Sequence, residues 1–292
     1  MYLDLELHLQ IITPQHLNKM KFKLYIILIS ILLINIVSYS QSFTFNDPTF
    51  LKLPTTSGGG GGGGGLFDAT NLTNLKLWLT TDSLSGLSDG DRVTTWTDSS
   101  TTSHNVSNGG GLVRPTYKVN QINLRPALFV DGTLNQYLQS SSFSSIGEPW
   151  TVYLVTIQIA TYGNMTIFDG LSDTIRLRIG AASSSGNLNA STPTVSLTST
   201  GTSLLWTIIS VRFDGINSTI FTNGVSAASG DLTEPTYTGG LSGFTIGNLE
   251  NNGSPPGGVG WYGYIAEVIA QSSWNTLEHS NMIYTLKQRF GL

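Results

Sequence analysis

Short runs in which apolar and polar residues alternate, or in which apolar residues are continuous, recur from residue 75 onward. The first two, 75–79 and 92–97, carry Trp78 and Trp96 and are separated by a loop rich in Ser, Asp and Gly. Runs of about four to eight such residues, bounded by turn residues, are typical of β-strands. Stretches that are apolar on both faces indicate central strands of a covered sheet. The later predicted strands are 127–130, 151–159, 165–168, 174–179, 205–213, 218–222, 243–246 and 262–269.

Asp-Gly and Asn-Gly dipeptides separate many of these runs. Both tolerate the positive φ angles of tight hairpin turns. We therefore expect an antiparallel, all-β architecture in which Trp78 and Trp96 are both largely buried. The dipeptides are Asp89-Gly90, Asn108-Gly109, Asp131-Gly132, Asp169-Gly170, Asp214-Gly215, Asn223-Gly224 and Asn252-Gly253.

The last segment of the chain has a different period. Asn275 and Glu278 have the spacing of a capping box, in which Asn275 caps the helix and Glu278 reaches back to it. Ile283, Leu286 and Phe290 then fall on one face of a helix. The pattern predicts one C-terminal helix that ends before Gly291.

The ordered motifs of residues 75–292 resemble those of laminin-G-like, concanavalin A-like lectin and glucanase jelly-roll domains. The resemblance implies an antiparallel β-sandwich of jelly-roll type closed by one C-terminal helix. The matching residues are Leu77-Trp78-Leu79, Asp89-Gly90-Asp91, Trp96, Asp98, Arg114-Pro115-Thr116-Tyr117, Arg125-Pro126-Ala127-Leu128-Phe129, Asp131-Gly132, Tyr137-Leu138, Ile167-Phe168-Asp169-Gly170, Val211-Arg212-Phe213-Asp214-Gly215, Thr222-Asn223-Gly224, Thr245-Ile246-Gly247, Gly263-Tyr264-Ile265-Ala266-Glu267-Val268 and Lys287-Gln288-Arg289-Phe290-Gly291-Leu292.

The composition narrows the classes of function. Only 11% of the 292 residues are charged, the net charge is −4, and no cluster of Lys and Arg occurs. The chain therefore lacks the basic footprint of a nucleic-acid-binding protein. It has no cysteine, which excludes disulfides and thiolate metal sites.

The first 65 residues predict export and a tether. We interpret residues 1–19 as a non-native extension upstream of Met20, and residues 20–40 as a secretory signal peptide. Lys21 and Lys23 precede the apolar run 24–37, and small residues precede a cut after Ser40. An uncleaved membrane anchor is the alternative, and membrane contact is expected through this segment alone.

Two further segments precede the predicted head. A short segment, 41–57, contains several phenylalanines and could dock on a protein assembly partner. The eight consecutive glycines 58–65 predict a flexible tether. Residues 66–292 then form the jelly-roll domain.

The sequence does not predict an enzyme. Glycosidases need two carboxyl groups that face one cleft, and Glu267 is alone on its predicted strand. We expect Glu267 to be structural and to pair with an arginine such as Arg125. The two histidines of the predicted head, His104 and His279, are expected to be solvated side chains rather than catalytic bases.

Calcium is the one cofactor that the resemblance allows, since relatives hold it at the loop rim. Asp131, Asp169, Asp214 and Asn223 could supply oxygen ligands. Each of them lies in a predicted hairpin turn. The backbone conformation of that turn explains the presence of the residue better than a calcium site does.

A candidate ligand site lies where the polar loop 250–258 leads into an aromatic strand. Trp261 and Tyr262 could stack on the apolar face of a sugar, while Asn251 and Asn252 bind its hydroxyl groups. The alternative is that Trp261 and Tyr264 fill the core or cover a sheet face.

Three functions remain open at this stage. The first is an exported, non-catalytic recognition or adhesion module that binds glycan or cell-surface polysaccharide. The second is a structural or assembly protein, such as a surface appendage or virion component, that presents the head on its tether. A polysaccharide-active enzyme is the third.

Overall fold

The computed structural model describes residues 67–108, 110–160, 165–171, 178–182, 187–202, 204–234, 240–249 and 260–292. All of them belong to one compact unit, Gly64–Leu292. The predicted extension, signal peptide, N-terminal segment and glycine tether lie outside these residues, as do Asn251 and Asn252.

Nearly all regular structure in the described part of the chain is β. The strands are β1 Leu75–Thr80, β2 Thr95–Trp96, β3 Val106–Ser107, β4 Thr116–Ile122, β5 Arg125–Asp131, β6 Leu138–Ser140, β7 Trp150–Gln158, β8 Met165–Asp169, β9 Arg178–Ala182, β10 Asn187–Ser191, β11 Ser196–Thr202, β12 Thr207–Phe213, β13 Ser218–Thr222, β14 Val225–Gly230, β15 Thr245–Ile246 and β16 Tyr262–Gln271. One α-helix follows them, α1 Thr276–Phe290.

The strands form two antiparallel sheets, which confirms the predicted β-sandwich with one C-terminal helix. Sheet 1 has the order β14-β13-β12-β7-β16-β5-β4, and β1 also pairs with β16. Sheet 2 has the order β11-β10-β9-β8-β15-β6-β3-β2. A large apolar core between the sheets includes Trp96, Trp150, Trp261, Phe168 and Phe213, all fully buried.

Strand β16 is the middle of sheet 1. Along one side it pairs with β7 over Gly263–Gln271. Along the other side it pairs first with β5, as far as Ile265, and then with β1, from Glu267 onward. An extra residue, Ala266, interrupts the register with β7 at this change of partner, which is the behaviour of a β-bulge.

The two tryptophans of the opening strands have different positions. Trp96 is fully buried between the sheets, as predicted. Trp78 is half-buried against the apolar cluster on the outer face of sheet 1, so its predicted position in the core of the sandwich was wrong. The reason is strand alternation, because Leu77 and Leu79 on either side of it point into the core.

Helix α1 packs on the outer face of sheet 1. Met282, Ile283, Leu286 and Phe290 pack with sheet residues such as Tyr153 in a second apolar cluster, which confirms the predicted buried face. The Asn275 side chain accepts from the backbone N–H groups of the first turn, and Gly291 ends the helix at φ 69°.

The other half of the predicted capping box forms a different contact. The Glu278 carboxylate accepts from the Thr73 N–H at 3.2 Å and from the Thr73 hydroxyl at 2.6 Å. It therefore ties the first turn of α1 to the chain just before β1, in place of the expected bond back to Asn275.

Candidate functional site

The residues predicted to bind sugar are divided between the two faces of sheet 1. Trp261 is fully buried in the core between the sheets, so its ring has no face exposed to a ligand. Trp261 therefore fills the core, which was the alternative interpretation of this residue. Tyr262, the next residue, is half-buried. Strand alternation directs it to the opposite face, and it also packs against the edge of the core between the sheets.

Four half-buried aromatic rings lie together on that outer face, and we call them the aromatic strip: Phe129, Tyr262, Tyr264 and Trp206. Tyr264 and Trp206 also pack against the apolar cluster under α1. The ring centroids of Phe129 are 5.7 Å from Tyr262 and 5.2 Å from Tyr264. Trp206 continues the strip at 6.3 Å from Tyr264. None of the four side chains carries a charge.

Strand register explains why these rings meet. Phe129 on β5 pairs with Tyr264 on β16, which pairs in turn with Ile157 on β7. Trp206 directly precedes Thr207, the first residue of β12. Two positions further along these strands, the outward-facing Ala127, Val155 and Ala266 are packed in the cluster with α1. The strip is thus the next row of the same face.

The borders of the strip are apolar at one end and acidic at the other. Leu205, next to Trp206, is 77% exposed, and Ile159 is 44% exposed. Asp131 pairs in register with Tyr262 and lies two residues after Phe129, on the same face. Its Oδ1 accepts hydrogen bonds from the N–H and hydroxyl of Thr133.

Glu267 is a buried carboxylate beneath the last turn of α1. Its Oε1 accepts from the Trp78 indole at 2.6 Å and from Arg289 at 3.2 Å, whereas Oε2 has no partner. Glu267 is structural, as expected, but its arginine is Arg289, because Arg125 pairs instead with Asp82. Burial raises the pKa of Glu267 to about 7 against the opposing effect of Arg289.

His279 is not the solvated side chain that the sequence suggested. It is only 5% exposed and faces the sheet, with the Phe221 and Trp274 rings 4.5 and 5.0 Å away. Its Nε2 lies 2.9 Å from the hydroxyl of buried Ser210. Burial lowers the pKa of His279 to about 4, so the imidazole is neutral near pH 7. The Ser–His pair is enclosed by packing and has no exposed nucleophile.

These two groups predict opposite effects of pH on the free energy of unfolding. His279 binds its proton near pH 6.5 in the unfolded chain but only near pH 4 in the folded protein. The free energy of unfolding therefore falls by at most about 3 kcal/mol as the pH drops from 6.5 to 4. Folded Glu267 keeps its proton up to about pH 7, whereas the unfolded chain releases it near 4.5, so stability also falls as pH rises from 4.5 to 7.

The measurement is a urea melt at several pH values on the protein and on two variants. His279→Gln should retain stability at pH 4.5 relative to pH 6.5, and Glu267→Gln should retain it at pH 7 relative to pH 5. Each variant is the control for the other. Parallel pH profiles for all three proteins would contradict this assignment.

The predicted calcium ligands are used by their own turns. The Asn223 side chain accepts from the Ile208 N–H, Asp169 accepts from the Gly170 N–H, and Asp214 pairs with Arg212. Within the described ranges, no group of three or more His, Cys, Asp or Glu side chains is placed to hold a metal ion.

The sequence matches no protein-family model, and none of the curated proteins matches it. Solved structures do. Botulinum neurotoxin type C, whose cell entry depends on interaction with two ganglioside molecules, is 15% identical, with a TM-score of 0.52 over 73% of this chain and 51% of that chain. A Trypanosoma rangeli sialidase in complex with sialic acid is 12% identical, with a TM-score of 0.50 over 75% of this chain and 34% of that chain.

Domain 4 of an extracellular arabinanase from Geobacillus stearothermophilus, in complex with arabinotriose, is 18% identical, with a TM-score of 0.48 over 71% of this chain and 97% of that chain. This chain spans about half the length of the neurotoxin chain and about a third of the sialidase chain. At these identities the likeness shows the β-sandwich fold.

Among the helices of the described residues, none has the length and apolar character needed to cross a membrane.

Proposed function

We propose that this chain is an exported, non-catalytic recognition or adhesion module that binds glycan through the aromatic strip. The observation that carries the proposal is the row of half-buried, uncharged rings of Phe129, Tyr264 and Trp206 on the outer face of sheet 1. Such rings can stack on the apolar faces of sugars, and the Tyr hydroxyl and Trp N–H can bind sugar hydroxyl groups.

The likeness to other sandwiches supports a glycan as the ligand. The neurotoxin that shares this fold interacts with gangliosides, and the sialidase binds sialic acid. One fold hosts many functions, so the ligand has to be argued from the strip itself.

The surroundings of the buried carboxylate support a non-catalytic role. Glycosidic cleavage requires two carboxyl groups that reach the same bond. Glu267 is 1% exposed, and it shares Arg289 with its nearest described acidic neighbour, Asp82. The one carboxyl group of Glu267 is thus buried and held in an ion pair, which supports a structural role for it rather than proton donation to a bound sugar.

We further propose the organisation expected from the sequence. Residues 20–40 direct export, the segment 41–57 and the glycines 58–65 precede the head, and the head belongs to the laminin-G-like group of concanavalin A-like domains. Secretion or display at the cell surface follows from this organisation. The ordered motifs of residues 75–292 support the family assignment.

The test compares single substitutions on the full chain. Tyr264→Ala and Trp206→Ala should each weaken binding of a glycan that covers the strip by up to about tenfold, since a stacked ring contributes about 0.5–1.5 kcal/mol beyond the area it buries. Tyr284→Ala is the control, because Tyr284 is 59% exposed on α1 and lies outside the strip. A glycan array finds the ligand, and calorimetry measures its affinity.

Unchanged binding by both strip variants would place the site elsewhere. Absence of binding to any glycan would favour the assembly role instead. In that case the head should be retained in an assembly only when residues 41–57 are present.

A further inference from the structure

We infer that the aromatic strip binds the interior of a neutral polysaccharide chain that twists along its length, rather than a terminal or acidic sugar. This inference rests on the proposed glycan function and specifies its ligand class. Three features of the strip lead to it: its direction across the sheet, the inclination of its rings and the charge beside it.

The first feature is direction. From Phe129 on β5 through Tyr264 on β16 to Trp206 before β12, the rings follow one another across the strands of sheet 1. A ligand that contacts all three must be long and must lie across the strands. A single terminal sugar would cover one ring and leave the others in water.

The Trp206 end of this row is also open. Beyond Trp206 the chain presents Leu205, which is 77% exposed. A polymer can therefore continue past this end, whereas a pocket for a chain terminus needs a wall there. The strip thus fits internal sugar units of a chain.

The second feature is ring inclination. The planes of Phe129 and Tyr264 are inclined by 45°, and those of Tyr264 and Trp206 by 39°. Sugars stacked on successive rings must turn by comparable steps. A single chain in solution can twist in this way, but the surface of a crystalline polysaccharide presents coplanar sugar faces and would contact one ring at a time.

The third feature is charge. The four rings are uncharged, and one acidic side chain, Asp131, borders them in register with Tyr262. Both of the protein hydrogen bonds to Asp131 end on Oδ1, so Oδ2 can accept from a sugar hydroxyl. A uronate or sialate carboxylate at this position would be repelled.

The experiment measures the affinity of the full chain for defined ligands by calorimetry. The probes are cello-, xylo-, manno- and laminari-oligosaccharides from disaccharide to hexasaccharide, 3′-sialyllactose, crystalline cellulose, and vesicles of phosphatidylcholine with phosphatidylserine. At least one neutral series should bind, with affinity rising about tenfold from disaccharide to tetrasaccharide as further rings are covered. Trp206→Ala should remove most of that gain and leave disaccharide affinity within about threefold.

Other outcomes overturn the inference in distinguishable ways. If 3′-sialyllactose binds better than every neutral series, or if disaccharides bind as tightly as tetrasaccharides, the glycan function stands and the ligand class is wrong. Tighter binding to crystalline cellulose than to soluble chains contradicts the twisted ligand. If vesicles alone bind, or if nothing binds, the proposed function fails as well.

Asp131→Asn tests the charge argument separately. Asparagine can still accept from Thr133, so affinity for neutral chains should stay within about threefold. Binding of 3′-sialyllactose should increase relative to neutral chains when the carboxylate is removed. An unchanged ratio would show that Asp131 has no part in selectivity.

Discussion

Trp96→Ala is expected to destabilise the domain strongly. The Trp96 side chain is fully buried between the sheets, and its indole N–H donates to the Thr80 carbonyl at 2.9 Å. Truncation of a buried tryptophan costs about 3–5 kcal/mol, out of a total stability of about 5–15 kcal/mol for a domain. It would also remove one of two side-chain donors to the Thr80 carbonyl, which still accepts from the Ser83 hydroxyl at 2.8 Å. A denaturant melt gives the loss directly.

Trp78→Ala is the matched comparison, with the same change of side chain on the neighbouring strand. Trp78 is half-buried and forms one side-chain hydrogen bond, to Glu267, so its removal should cost less than removal of Trp96. A larger loss for Trp78→Ala would mean that packing under α1, rather than the core between the sheets, limits the stability of the domain.

Asp98→Ala is expected to destabilise the domain by about 3–4 kcal/mol. The carboxylate is 7% exposed and accepts from five donors: the N–H groups of Trp78, Ser100 and His104 at 2.8–2.9 Å and the hydroxyls of Ser100 and Thr102 at 2.7 and 3.2 Å. Hydrogen bonds to a charged group contribute about 1.5–3 kcal/mol each and are not additive. Alanine would leave several of these donors unpaired.

Ser100→Ala is the control for this prediction. It removes one hydroxyl from the Asp98 network and leaves the carboxylate and its backbone donors in place, so it should cost about 1 kcal/mol. The comparison uses the same denaturant melt. Equal losses for the two variants would show that the five-donor network contributes little.

The apolar strands were readable in the sequence because burial on one or both faces leaves a periodic pattern. Four of the strands that the pattern missed lie at or next to sheet edges, whereas the other two, Val106–Ser107 and Leu138–Ser140, are only two and three residues long. Asn187–Ser191 and Ser196–Thr202 end sheet 2, whereas Thr116–Ile122 and Val225–Gly230 are the two edges of sheet 1. Edge strands bury less side-chain area, so alternation in them is weak.

The candidate site could be predicted only in part from the sequence, because its composition depends on which strands pair with each other. Successive side chains of β16 point to opposite faces of the sheet. Placing Trp261 in the core therefore directs Tyr262 and Tyr264 to the other face. The same rule puts Phe129 outside, between the inward-facing Leu128 and Val130. Nothing local indicates that Trp206 joins them, since its position follows from the pairing of β12 with β7.

The partners of the charged side chains also could not be predicted from local sequence patterns. Arg289 reaches Glu267 and Asp82 because α1 crosses β16 at the bulge, where β5 gives way to β1. The sequence predicted an arginine for Glu267 on chemical grounds. The choice between Arg125 and Arg289 required the position of the helix.

The central position of β16 has a consequence for the order in which the domain can form. Every strand that pairs with β16 precedes it in the chain, and β16 joins the group β14-β13-β12-β7 to the group β5-β4 and to β1. Until β16 has been synthesised, β7, β5 and β1 present unpaired edges that can associate with other chains. These pairings also close long loops, which slows folding. Sheet 1 therefore completes in one late step, when the strand that links its parts becomes available.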